Sequence, residues 1–184
     1  AHRLISQGLS QGIFVALPTM ATSNAMYGRM ADCYLNLYAE GEKPSLVLAH
    51  SARHLSDKFQ QSIIDHRNKD SAYSAKDVTA SAQCTRWLSD HRKKALLADV
   101  GIGTLDQALL GILPARHQSL RLLGLANKVL IVDEVHAYDA YMNGLLKTLL
   151  QFHAFWGGSA ILLSATLPFK MRQDLVYAFQ KGAS

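Results

Sequence analysis

Asp133 and Glu134 stand directly beyond an apolar run, Val129-Leu130-Ile131-Val132, and His136 follows two residues later. Four apolar, mostly β-branched residues of this kind read as a fully buried central strand, with both carboxylates at its carboxyl end. Two acids so placed can divide one piece of chemistry. Asp133 can hold Mg²⁺, directly or through water, while Glu134 orients and deprotonates a water attacking a γ-phosphate. His136 is close enough to exchange hydrogen bonds with the phosphate site and with a neighbouring motif. That neighbour is Ser164-Ala165-Thr166, after the apolar run Ala160 to Leu163. Its hydroxyls can bond the acidic motif and transmit the state of the γ-phosphate. An isolated Asp-Glu pair is as readily a solvated strand end, but the whole string Asp133 to His136 with Ser-Ala-Thr downstream points to the catalytic reading.

The elements that must position these groups follow from the strand itself. In an open parallel α/β sheet, ligands bind in the crevice outside the carboxyl ends of the strands. Gly12 to Leu17 reads as a first buried strand, followed by a loop of Pro18, Thr19, Met20, Ala21, Thr22, Ser23 and Asn24. Met26, Met30, Cys33 and Leu37 then recur as one helical stripe, with Gly41 to end it. Strand, loop and helix in this order can turn loop amides and a helix N-terminus toward a phosphate. A standard phosphate loop also needs glycines, a lysine for the β- and γ-phosphates and a hydroxyl for Mg²⁺.

Further along, Ser45 to Ala49 is a second buried strand running into His50-Ser51-Ala52-Arg53-His54. Residues 65–85, rich in Ser, Ala, Asn and Asp, read as a long exposed loop or insertion. Trp87 to Leu97 reads as a helix carrying His91, Arg92, Lys93 and Lys94, a solvated face that also suits a phosphate backbone. Thr104 is placed to cap a helix containing Leu105, Leu109 and Ile112. Another short helix spans Ala115 to Leu125. Tyr138, Met142, Leu145, Leu149, Phe152 and Trp156 mark a long helix with this stripe in the core, closed by Gly157-Gly158. Ala160 to Leu163 reads as a buried strand, and Leu175, Val176 and Phe179 place a final helix.

Composition bounds the rest. A chain of 184 residues, 49% hydrophobic and 18% charged, can bury a core and is too apolar for a disordered segment. A net charge of +5, with eight histidines in reserve, favours a polyanionic partner. Cys33 and Cys84 are too few for a disulfide framework and form no zinc motif, so a reduced, cytoplasmic protein is expected. No apolar run approaches the roughly 18 residues of a membrane span, and no signal peptide is visible. The start at Ala1, without methionine, points to a piece of something longer.

The order of these motifs resembles the first RecA-like lobe of a superfamily 2 helicase. Aligning Pro18-Thr19 with the Pro-Thr of helicase phosphate loops puts Met20 and Thr22 at glycine positions, Ser23 at the lysine and Asn24 at the hydroxyl residue. The lysine is therefore missing, which places tight ATP binding by this lobe alone in question. The strings Leu17 to Tyr27, Val100 to Leu110 and Val132 to Asp139 are similar to those of the CRISPR-associated helicase-nucleases of type I systems. The resemblance covers nearly the whole chain. It implies an α/β fold, a RecA-like parallel sheet with helices on both faces, with residues 1–184 forming one lobe. It further implies a protein that uses ATP and Mg²⁺ to move along single-stranded DNA, feeds a separate histidine-aspartate nuclease, and is recruited by a Cascade-type CRISPR complex. The roles it carries over are Asp133 for Mg²⁺, Glu134 for water activation, and His136 with Ser164 and Thr166 for coupling. His50, Ser51, Thr104 and Gln107 become contacts to the DNA strand. A nucleic-acid-binding module without hydrolysis, and an RNA helicase of the same superfamily, are the rival readings.

Overall fold

A computed structural model describes residues 1–31, 45–49 and 95–184. Among these, five parallel strands form one sheet: β1 (Gly12–Leu17), β2 (Leu46–Ala49), β3 (Val100–Thr104), β4 (Lys128–Val132) and β5 (Ser159–Leu162), in the order β2-β3-β1-β4-β5. Six α-helices accompany them: α1 (His2–Ser6), α2 (Met20–Ala31), α3 (Leu105–Leu109), α4 (Gln118–Leu125), α5 (Ala140–Phe155) and α6 (Phe169–Ala183). Short 3-10 turns lie at Ala95–Leu97 and Val135–Ala137. Among the described residues, no helix is long and apolar enough to cross a membrane.

Parallel strands need crossovers, and right-handed crossovers decide the layers. From β1 the chain crosses toward the β2 edge through α2, which packs on β1, β2 and β3. From β3 to β4 to β5 it travels the other way, so α3 and α5 lie on the opposite face, where they touch one another. The sheet is thus covered on both sides, as its parallel strands require. The interior strand β1 is buried at every position, and Phe14, Leu48, Ile102, Leu130, Leu146 and Leu149 are among the fully enclosed side chains. Burying a side chain of this size contributes roughly 1.5–3 kcal/mol.

Several expectations need correction. The stretch Pro18 to Asn24 is not one extended loop, because helix α2 already starts at Met20. Residues 100–104 form a strand that leads directly into α3 at its N-cap Thr104; Gly101 and Gly103 conceal the strand from propensity. A Cβ on Gly101 would press on the Phe14 ring, and one on Gly103 would overlap the carbonyl oxygen of Ala49. These glycines let the neighbouring strand and the ring approach the backbone closely. Helix α3 ends at Leu109, short of Ile112, and α4 begins at Gln118 rather than Ala115.

The stripe assigned to the long helix is rotated. Leu146, Leu149, Leu150, His153 and Ala154 are the buried residues of α5, whereas Phe152 and Trp156 are largely exposed. Tyr138 is buried but precedes the helix, whose N-cap is Asp139, accepting from the Met142 amide at 2.7 Å. Strand β5 is also not a buried interior strand. It forms the sheet edge with Ile161 partly exposed, and a groove of about 430 Å³ opens where α6 meets it. The Cys33 and Leu37 part of the helical stripe, the insertion at 65–85 and the basic run at 91–94 lie outside the described residues.

Candidate functional site

The crevice to examine is set by topology. The chain leaves β1 toward one edge and β4 toward the other, so the loops after these adjacent strands diverge. A topological switch point of this kind is where open α/β sheets receive ligands. Register makes the adjacency tight: Ala16 pairs with Val132, and the Asp133 amide continues the ladder to the Ala16 carbonyl at 3.0 Å. The acid pair therefore begins level with Leu17, directly beside the turn into α2.

That turn is a reciprocal cap. Thr22 N–H donates to Thr19 Oγ1 at 3.1 Å, and Thr19 N–H donates to Thr22 Oγ1 at 3.3 Å. The pattern is that of a capping box with threonine in place of the usual glutamate. It starts a twelve-residue helix whose positive dipole end sits at the crevice. Thr19, Met20, Ala21 and Thr22 are exposed, and Pro18 and Asn24 partly so. Ser23 differs. It is fully buried, and its hydroxyl donates back to the Thr19 carbonyl at 2.8 Å. The residue at the lysine position thus contributes a helix-internal bond, with no side chain projecting into the crevice.

On the β4 side, Glu134 has φ 55° and ψ 41°, a left-handed conformation that disfavours any residue with a Cβ. Holding a non-glycine there costs of order 1–3 kcal/mol, so surrounding bonds must impose it. Val135 N–H donates to the Leu163 carbonyl at 3.1 Å, and Leu163 N–H to the Val132 carbonyl at 2.8 Å. The Glu134 amide donates to Asp133 Oδ1 at 2.9 Å, which leaves the second Asp133 oxygen for a cation. Mg²⁺ typically takes one or two carboxylates and completes its shell with water and phosphate, so a single well-oriented aspartate fits.

The residues assigned to coupling do come together. His136 Nε2 lies 3.1 Å from Glu134 Oε2, and its Nδ1 lies 3.1 Å from Ser164 Oγ. Ser164 donates in turn to the Thr166 carbonyl at 3.0 Å. With Ser164 so engaged, the ring must donate from Nδ1, and the carboxylate asks for a proton on Nε2 as well. Thr166 takes part here through its backbone.

Of the proposed strand contacts, Thr104 is buried at the end of β3, paired in register with Leu17, and makes no side-chain cap bond. Gln107 is half-buried, its Oε1 accepting from Arg121 Nη1 at 3.2 Å. Burial lowers the pKa of that guanidinium from its ordinary value. Thr104 thus stands beside the β1 turn, while Gln107 faces Arg121 of α4. His50 and Ser51 lie outside the described residues, although Ala49 before them pairs with Gly103 at the same end of the sheet.

Two further residues stand near the acid pair. Tyr138 donates from its hydroxyl to the Asp133 carbonyl at 2.9 Å. Burial, with Asp133, Asp106 and Glu134 around it, keeps the phenol protonated well above the ordinary range. Asp106, on α3, is thus close enough to act on the same ring. The only signal for Tyr138 was a position five residues past Asp133, which a helical stripe absorbed.

An all-parallel sheet with a capped helix and an acid pair on adjoining carboxyl ends defines a RecA-like α/β lobe. Over nearly its whole length the chain is homologous to one segment of the CRISPR-associated helicase-nucleases. It is 43% identical over 179 residues to the CRISPR-associated endonuclease/helicase Cas3 of Escherichia coli K12, covering 96% of this chain and 19% of that protein. It superposes on the crystal structure of T. fusca Cas3-AMPPNP with a TM-score of 0.76 and 38% identity, over 95% of this chain and 18% of that one. A chain of a pre-nicking CRISPR RNA-guided surveillance complex matches with a TM-score of 0.51 and 30% identity, over 98% of this chain and 19% of that one. The chain thus spans about a fifth of the length of the relatives it matches. No protein-family profile matches it.

Proposed function

We propose that residues 1–184 are the ATP-engaging first lobe of a helicase motor that moves along single-stranded DNA within a larger nuclease-bearing protein. The observation that carries this reading is the direct pairing of β1 with β4, which sets Asp133 and Glu134 beside the capped turn at Thr19 to Thr22. Homology to a Cas3 crystallised with AMPPNP supports a nucleotide in that crevice. ATP would lie with its phosphates toward the α2 N-terminus and Asn24, and Mg²⁺ would be held by Asp133 and supply the charge that neutralises the phosphates. Glu134 would orient and deprotonate the attacking water, with His136, Ser164 and Thr166 linking that carboxylate to the β5 end. The likeness to a chain of a surveillance complex supports a Cascade-type partner, and the net positive charge supports a nucleic-acid strand along the ends of β2 and β3.

Glu134→Gln in the full-length protein keeps the hydrogen-bonding shape and removes the base. It should bind nucleotide as the parent does and lose turnover by two orders of magnitude or more, about the range ascribed to general bases. Steady-state ATPase with nucleotide titration checks this; parental turnover would remove Glu134 from the role. The buried Ser23 at the lysine position favours a second reading, a strand-binding lobe that no longer binds or hydrolyses ATP. Calorimetric titration of a two-lobed protein with ATP separates the two. Stimulation by DNA but not RNA separates the motor from an RNA helicase.

A further inference from the structure

We propose that Tyr138 is a positioning residue for hydrolysis: its hydroxyl, fastened to the Asp133 carbonyl, holds the Asp133–Glu134 peptide in the left-handed turn that aims the Glu134 carboxylate. This rests on the reading of Glu134 as the base and adds a residue to it. The turn has a specific weakness. Glu134 sits at φ 55°, and relaxing to an extended or right-handed conformation would rotate the peptide that joins it to Asp133. Asp133 N–H on Ala16 and Val135 N–H on Leu163 hold the flanks, and the N–H of the rotating peptide bonds only the side chain of Asp133, which turns with it. The carbonyl of the rotating peptide itself is gripped by Tyr138, at 2.9 Å.

Tyr138 is in turn held on two sides. It is buried, and its own carbonyl accepts from Asn143 Nδ2 at 2.8 Å. Asn143 belongs to the first turn of α5, where its amide donates to the Asp139 carbonyl at 2.9 Å. A continuous set of bonds therefore runs from the N-terminus of α5 through the ring to the peptide between the two acids. The hydroxyl bonds the Asp133 carbonyl, so its action is through Glu134.

The test is a double-mutant cycle in the full-length protein, using Tyr138→Phe and Glu134→Gln, with single-turnover rates normalised to bound nucleotide so that only folded sites are counted. Tyr138→Phe should lower kcat by about tenfold, the scale of one buried hydrogen bond to a strained peptide, with KM for ATP within about twofold. On the Glu134→Gln background the same change should alter the residual rate by less than about twofold, because the group it positions is gone. An equal loss on both backgrounds, or no loss on the parental one, overturns the proposal while the reading of Glu134 stands. Parental turnover in Glu134→Gln alone overturns that reading instead.

Discussion

Lys128 begins β4 and is buried, with its Nζ donating to the carbonyls of Leu96, at 2.6 Å, and Ala98. Burial pulls its pKa down to about 8, against the opposing pull of Asp99. A neutral amine keeps two N–H groups, enough for both carbonyls, so the native site tolerates loss of the charge. The sign of the pH effect follows. Between pH 8 and the ordinary lysine range the unfolded chain binds the proton that the folded chain has released, so stability rises with pH across that window. Lys128→Met removes this dependence and strands two carbonyls. The parent should gain on the mutant by about 3 kcal/mol between pH 7.5 and 10.5, at about 1.4 kcal/mol per pH unit. Denaturant unfolding of the purified chain at both pH values measures the difference; parallel curves would show that the amine stays charged in the folded state.

Among the elements, β3 shows how a strand can depend on absent side chains. Gly103 lies against the Ala49 carbonyl, so any Cβ there forces β2 away from β3. Gly103→Ala should cost about 1–3 kcal/mol, the usual penalty for overpacking. Gly144, on the exposed face of α5, meets nothing within 4 Å of a built Cβ. There alanine should stabilise by about 0.5–1 kcal/mol, since glycine weakens a helix interior. Urea midpoints of the two variants should move in opposite directions; an unchanged or raised midpoint for Gly103→Ala would contradict the packing around β3, and a lowered one for Gly144→Ala the open face of α5. Helix α5 makes a further point. Its buried face follows Leu146, Leu149, Leu150 and His153, with the His153 Nε2–H donating to the Ser159 carbonyl at 3.0 Å. Its large aromatics were the misleading cue, because they lie on the outer side.

At the scale of the whole molecule, the chain spans about a fifth of the length of the relatives it matches. The β1 turn and the β4 acids come from this chain, yet among its described residues no arginine is among the groups placed at the crevice. Related phosphoryl-transfer systems gain about 10³ to 10⁵ in rate from an arginine finger, often supplied by a separate lobe or partner. The isolated 184-residue chain should therefore hydrolyse ATP at roughly 10⁻³ or less of the full-length rate. A single-turnover assay of the two proteins at saturating nucleotide decides it. Comparable rates would mean that this lobe supplies its own transition-state charge.

The local chemistry was legible in the chain itself. Apolar runs bounded by polar clusters marked β1, β2 and β4, and the types and spacing of Asp133, Glu134, His136, Ser164 and Thr166 named groups that the fold does bring together. These features survive in one dimension because strand burial and short-range motifs depend on consecutive residues. The order of the sheet decided everything else. Whether β5 is interior or edge, which side of α5 is buried, and that Thr104 abuts the β1 turn all depend on partners far away in sequence. So does the role of the phenol at 138, whose acceptor lies across a left-handed turn that neither a period of 3.6 nor a period of 2 describes.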